Sequence, residues 1–177
     1  MTKILNLGAG NRIIDGADNH DIVKHRPEIN LVFDLDTIFR TDEKYPFWLF
    51  QCLYQKKLDF VDNVNGYYDE IQFISVIEHL SITPIQALNE CWHLLKPSGK
   101  LIIKYPHYTS ATAYHDPTHK HWLTENSLDY VDPDTQFGKD YNYYTQYKWK
   151  ILTPPENRLI IKGGNRTNVK MELVPGK

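Results

Sequence analysis

Residues 4–12 read Ile4-Leu5-Asn6-Leu7-Gly8-Ala9-Gly10-Asn11-Arg12, and the fold turns on them. Ile4 to Leu7 is a short, largely apolar run of the length of a buried strand, and the glycines after it mark a tight turn. A Gly-x-Gly turn directly after a strand lets backbone approach a ligand closely, because no Cβ stands in the way. Outward from this stretch, residues 16–23 and 29–33 read as a second and a third strand, with acids near their ends at Asp21, Asp34 and Asp36. Residues 69–76 and 100–105 read as two more.

The best-marked helix covers residues 84–95. Thr83 is its N-cap, Pro84 its first position and Gln86 its third, which makes a capping box with a proline start. Ile85, Leu88, Trp92 and Leu95 recur as one apolar stripe, and Pro97 and Gly99 stop the pattern. A second helical pattern runs over residues 45–58, with Pro46 at its start and Phe47, Phe50, Tyr54 and Leu58 at near-helical spacing. Residues 106–146 are polar, aromatic and loop-like, with a short helix expected around 125–130. Residues 149–152 and 159–174 supply late strands, with Gly163-Gly164 as a hairpin turn or bulge.

Strands separated by helices, then a late hairpin, predict an α/β, Rossmann-like fold: a mostly parallel sheet with a late antiparallel hairpin and helices on both faces. A length of 177 residues suits a single domain over residues 1–177, with a helical insertion at about 37–68. The net charge of −2 argues against a strong electrostatic hold on nucleic acid or membrane. Two cysteines, Cys52 and Cys91, are too few for a disulfide framework or a four-thiolate zinc site and suit a reducing, cytoplasmic setting. The opening residues do not read as a secretory signal, and no apolar run has the length of a membrane helix.

In sheets of this kind ligands bind beyond the carboxyl ends of the strands. Residues 8–10, 21, 34–36, 75–79 and 105–107 all fall at predicted strand ends, so they are expected to share one rim. A carboxylate at the end of the second strand can accept two hydrogen bonds from a ribose diol, and Asp21 is that carboxylate. The third glycine of the dinucleotide fingerprint is replaced by Ile13, and Asp21 comes much sooner than the usual ~20 residues. A nicotinamide cofactor is therefore disfavoured.

Taken together, ILNLGAGNR, DNHDIVKH, PEINLVFDLD, YDEIQFISVIEHL, NECWHLLKPSGKLIIKYPH and DPTHKHWLTENSLDY resemble the class I S-adenosylmethionine-dependent methyltransferases, in a small single-domain subgroup. The resemblance covers most of residues 3–150. It implies S-adenosylmethionine as cofactor. Leu7, Gly8, Ala9 and Gly10 would lie along its methionine portion and ribose, Asp21 would hold the ribose hydroxyls, and Asp34 and Leu35 would border the adenine. Ser75, Val76 and Glu78 would lie under the cofactor near the transferred methyl. Many family members carry an acid where this chain has Asn6.

Methyl transfer needs an aligned acceptor and often the removal of a proton, a task suited to histidine. Four of the eight histidines lie between His107 and His121, and eight of the twelve tyrosines between Tyr105 and Tyr147. His107 and His119 are the candidate bases, with Asp116 as partner. His79, Tyr108, His115, His121 and Trp122 are candidate acceptor contacts, on loops within about 105–147 or beside them. A metal site from His115, Asp116, His119 and His121 is chemically possible, but its spacing matches no strong zinc pattern, so no metal is expected. The expected reaction is methyl transfer to an oxygen or nitrogen of a small or sugar-like acceptor. The alternatives are a nucleic-acid methyltransferase, a non-catalytic S-adenosylmethionine-binding module, and a sulfonium-using enzyme that transfers no methyl.

Overall fold

The computed structural model describes residues 2–38 and 66–176. The helix expected at 45–58, most of the expected insertion at 37–68, and Cys52 lie outside the described residues. Strands β1 (Ile4–Leu7), β2 (Asp18–Asp21), β3 (Leu31–Val32), β4 (Tyr68–Ile74) and β5 (Leu95–Pro106) form a parallel array in the order β3-β2-β1-β4-β5. The late strands β6 (Trp149–Ile151), β7 (Leu159–Lys162) and β8 (Asn165–Pro175) complete one sheet. β8 runs antiparallel beside β5, and β6 and β7 pair with its other edge.

The strands form where the side chains alternate. In β5, Leu101, Ile103 and Tyr105 are buried while Ile102 and Lys104 between them are half-buried. In β8, Val169, Met171 and Leu173 are buried against exposed Lys170 and half-buried Glu172. A one-residue slip would turn each set to the wrong face, so the apolar pattern itself holds the register, Leu101 opposite Leu173 and Ile103 opposite Met171. Gly163 and Gly164 both have positive φ, the conformation of a tight two-residue hairpin, and a register shift follows at Ile160/Ile161. The late strands thus contain both a turn and a bulge.

Besides the short α1 (Leu35–Ile38), the main helix is α2 (Pro84–Leu94). Its capping box is complete: Thr83 accepts from the Gln86 N–H, and the Gln86 side chain accepts from the Thr83 N–H. The buried face differs from the expected stripe. Ala87, Leu88, Cys91 and Leu94 are buried, while Ile85 and Trp92 sit half-buried at its edges. The Trp92 indole N–H is drawn to the Lys148 carbonyl at 3.0 Å, which holds the ring toward the border of the core. Leu95 is already extended and opens β5. The short helix expected at 125–130 is instead a 3₁₀ turn at Asp129–Val131; α3 (Thr112–His115) and α4 (Gln136–Asp140) flank it. The cause is polar: residues 124–127 spend their hydroxyls and N–H groups on a Thr124–Ser127 turn.

Among the described residues no helix is long and apolar enough to cross a membrane.

Candidate active site

The chain moves outward from β1 to β3 and then returns to β4, so β1 and β4 are neighbours at the switch point of the sheet. A cleft of about 560 Å³ opens beyond the strand ends there. Six of the expected cofactor contacts line it: Gly8, Asp21, Asp34, Leu35, Ser75 and Val76. Leu7, Ala9 and Glu78 are buried instead, and Gly10 donates its N–H to Asp21.

Residues 8–17 join β1 to β2 by turns, with no helix. That is shorter than the dozen or more residues usual in a parallel crossover. Asn6 is what closes it. Its buried amide donates to the Arg12 carbonyl at 2.6 Å and to Asn19 Oδ1 at 2.9 Å, while Asn19 exchanges hydrogen bonds with the Ile14 backbone. A carboxylate at position 6 would have nothing to donate to these two oxygens.

Gly8 has φ +59°, and a Cβ there would lie 2.3 Å from Val76 Cγ2. The turn is therefore seated directly on the first residues after β4. Asp21 accepts from Gly10 N–H at 2.8 Å and from Ile22 N–H at 2.7 Å, one bond to each oxygen. A carboxylate has about four lone-pair sites, so acceptor capacity remains toward the cleft. Ser75 holds φ +56°, a strained conformation for a residue with a Cβ, and such strain concentrates at functional sites.

Sequence reasoning passed over His20, Ile22, Phe33, Thr118 and Lys120, which line the cleft together with Asp36 of the expected rim. Ile22 carried a readable signal: an apolar residue directly after Asp21, here 60% exposed. Lys120 carried none. It reaches Ser81 Oγ at 2.7 Å and Asp36 at 3.4 Å, and Asp36 in turn accepts from Ser81 N–H, so three distant segments close one wall.

His20 is buried behind Gly8. Its Nδ1 accepts from the Gly8 N–H at 3.2 Å, and its Nε2–H donates to the Phe33 carbonyl at 2.9 Å. A second proton on Nδ1 would face a donor. Burial lowers the imidazole to about 4, against the opposing pull of the Phe33 carbonyl, Asp21 and Asp34. The unfolded chain therefore binds an extra proton between 6.5 and about 4, and stability falls as pH falls through that window. Thermal unfolding across it should show His20→Gln with a flatter pH dependence than the parent, by up to about 3 kcal/mol. Parallel curves would overturn the role given to His20.

Neither a protein-family model nor a curated protein sequence matches the chain. Solved structures do. A SAM dependent methyltransferase from Archaeoglobus fulgidus aligns with a TM-score of 0.50 over 99% of this chain and 86% of that one, at 16% identity. A SAM dependent methyltransferase from Aquifex aeolicus aligns with a TM-score of 0.45 over 98% and 82%, at 14% identity. The chain has the class I methyltransferase fold. The antiparallel β8 beside β5 sets the sheet apart from an all-parallel one.

On the far side of the cleft, this methyltransferase fold gathers Glu78, His79 and His119: one carboxylate oxygen and one nitrogen from each ring lie within 4.8 Å of one another. Glu78 is 2% exposed, and its Oε2 has no hydrogen-bond partner among the described residues. Burial pushes its carboxyl up to about 7, against the pull of its own backbone N–H, His119 and Arg12. His79 Nδ1 contacts Thr118 Oγ1 at 2.8 Å, and that hydroxyl donates to Asp116 at 2.7 Å. His119 Nδ1 donates to the Ala113 carbonyl at 2.9 Å, and the two rings meet edge to face. Asp116 thus bonds Thr118, and through it His79.

The remaining expected residues are placed elsewhere. His107 is fully buried, with Nε2 2.9 Å from Glu125 and Nδ1 2.7 Å from Thr109, and does not line the cleft. His121 Nε2 donates to the Ile82 carbonyl at 2.8 Å. His115, Tyr108 and Trp122 are exposed outside the cleft lining, and Trp122 stacks on Tyr114.

Proposed function

We propose that the chain is an S-adenosylmethionine-dependent methyltransferase acting on an oxygen or nitrogen of a small or sugar-like acceptor. The observation that carries this reading is Asp21, which keeps acceptor capacity toward the cleft beside the Gly8 turn that is seated on Val76. Asp21 would hold the ribose hydroxyls, and exposed Ile22 with Leu35 would offer apolar surface to the base. The turn around Gly8 would take the amino-acid end. A cleft of about 560 Å³ is within the usual size for such a ligand. The connection 8–17 has no helix N-terminus to receive a pyrophosphate, which counts against a dinucleotide.

The donor, when bound, supplies a methyl group on a positively charged sulfur, already activated for displacement. The protein's own task is to hold an acceptor in line, keep water away and relieve the acceptor of its proton. His79, Thr118 and Lys120 border the cleft on the side where the acceptor would enter, and His119 stands behind His79. Of the two candidate bases, His119 is the one beside the cleft. His107 would act as a brace, tying the end of β5 to Glu125.

Thermal unfolding with S-adenosylmethionine, S-adenosylhomocysteine and a nicotinamide dinucleotide tests the donor. At about 100 times its dissociation constant a ligand stabilises by roughly 2.7 kcal/mol, or about 5–10 °C for a chain of this size. A shift with the first two alone is expected; a shift with the dinucleotide alone would sink the reading. His119→Ala should cut turnover at least about 100-fold and leave donor affinity within about twofold.

A further inference from the structure

We propose that Glu78, His79 and His119 form a binding site for a divalent first-row transition ion at the acceptor side of the cleft. The acceptor role of the ion rests on the methyltransferase reading; the site itself does not.

Three independent features point to it. The first is the donor set. One carboxylate oxygen and two imidazole nitrogens lie within 4.8 Å of one another. Donors around a tetrahedral ion with bonds of about 2.0–2.1 Å stand about 3.4 Å apart, so the set would draw in on binding the ion. Two imidazoles and one carboxylate suit zinc, cobalt or iron better than magnesium or calcium.

The second is the orphaned oxygen. Glu78 is 98% buried by its 2% exposure, yet Oε2 has no partner among the described residues. A buried carboxylate without a partner is costly unless a proton or cation meets it. Arg12, whose positive charge acts on Glu78, donates to the Ile74 carbonyl.

The third is the outer layer. Ligating histidines are usually held by a hydrogen bond at the other ring nitrogen, which orients the ring and fixes its tautomer. Both rings are held so here. His119 is pinned through Nδ1 to the Ala113 carbonyl, and His79 through Nδ1 to Thr118, whose hydroxyl is tied to Asp116. Each ring thereby offers Nε2. Asp116 becomes a positioning residue. The other histidines of this segment do not qualify: His121 is committed to the Ile82 carbonyl, and His115 is exposed.

With three protein ligands, a coordination position remains for an oxygen of the acceptor. An ion there would acidify a bound hydroxyl, whose proton would pass to solvent water, and His119 would then serve as a ligand in place of the base.

The test is a titration of the purified full chain with Co²⁺ near neutral pH, followed by its visible d–d absorption, with far-UV circular dichroism as the control for folding. One saturable Co²⁺ per chain, displaced by Zn²⁺, is expected. Glu78→Gln and His119→Ala should each abolish the saturable phase, Thr118→Val should weaken it about 10–100-fold, and His115→Ala should leave it intact. No saturable binding, or binding that survives both Glu78→Gln and His119→Ala, overturns the proposal. Calorimetric titration with S-adenosylmethionine separates the two readings. Donor binding without Co²⁺ binding removes the ion site alone; Co²⁺ binding without donor binding removes the methyltransferase reading alone.

Discussion

Gly8→Ala should lose about 2–4 kcal/mol of stability and nearly all donor affinity. Two costs add at this residue. The backbone sits at φ +59°, which a residue with a Cβ adopts only with strain of order 1 kcal/mol. The new methyl would also stand 2.3 Å from Val76 Cγ2, far inside contact distance, and overpacking of that kind costs about 1–3 kcal/mol. Val76 is the second residue after β4, so relief would push apart the two walls at the switch point. The double substitution Gly8→Ala/Val76→Ala separates the terms: it should recover the steric part and keep the strain. Melting temperatures of the four proteins decide it. A single Gly8→Ala variant that melts with the parent and still binds S-adenosylmethionine would overturn this account of the cradle.

Arg158→Leu should lower the melting temperature by about 6–20 °C, the largest effect of any single polar substitution expected here. Arg158 is 3% exposed. Its guanidinium meets Asp129 at 2.6 Å and also donates to the Glu125 and Thr153 carbonyls. Removing the cation leaves Asp129 buried and unpaired, a loss of about 3–5 kcal/mol. The loss should reach His107, because Glu125 binds that ring and is anchored through its own carbonyl to Arg158. Asp129→Asn should cost less, since the amide oxygen can still accept. Urea midpoints for the two variants give the ranking, and equal losses would place the effect in packing rather than in the unpaired charge.

Much of the architecture was legible because it is local. The capping box at Thr83, the paired glycines at 163 and 164 and the alternation in β5 and β8 each follow from a few neighbouring residues. The rim of the cleft beside β1 and β2 was legible for a related reason. Strand ends are punctuated by glycines and acids, so Gly8, Asp21 and Asp34 could be assigned to one rim before any coordinates. The misread helix face shows where such reasoning stops: periodicity finds an apolar stripe, but the hydrogen bond from Trp92 to Lys148 turns that face.

The wall of the cleft that carries His79 was not legible in the same way. Four histidines crowded between 107 and 121 invite a reading as one cluster, yet the structure gives each a different partner. His107 goes to Glu125, His121 to Ile82, His115 to solvent, and only His119 turns back toward Glu78 and His79, forty residues earlier. By itself the sequence determined the order of strands and loops, the seat of the glycine turn and the acid that follows it, because steric freedom and alternation act between neighbours. Only the tertiary structure decided which histidines share a site. Ring orientation depends on distant carbonyls and hydroxyls, and no spacing along the chain encodes those distances.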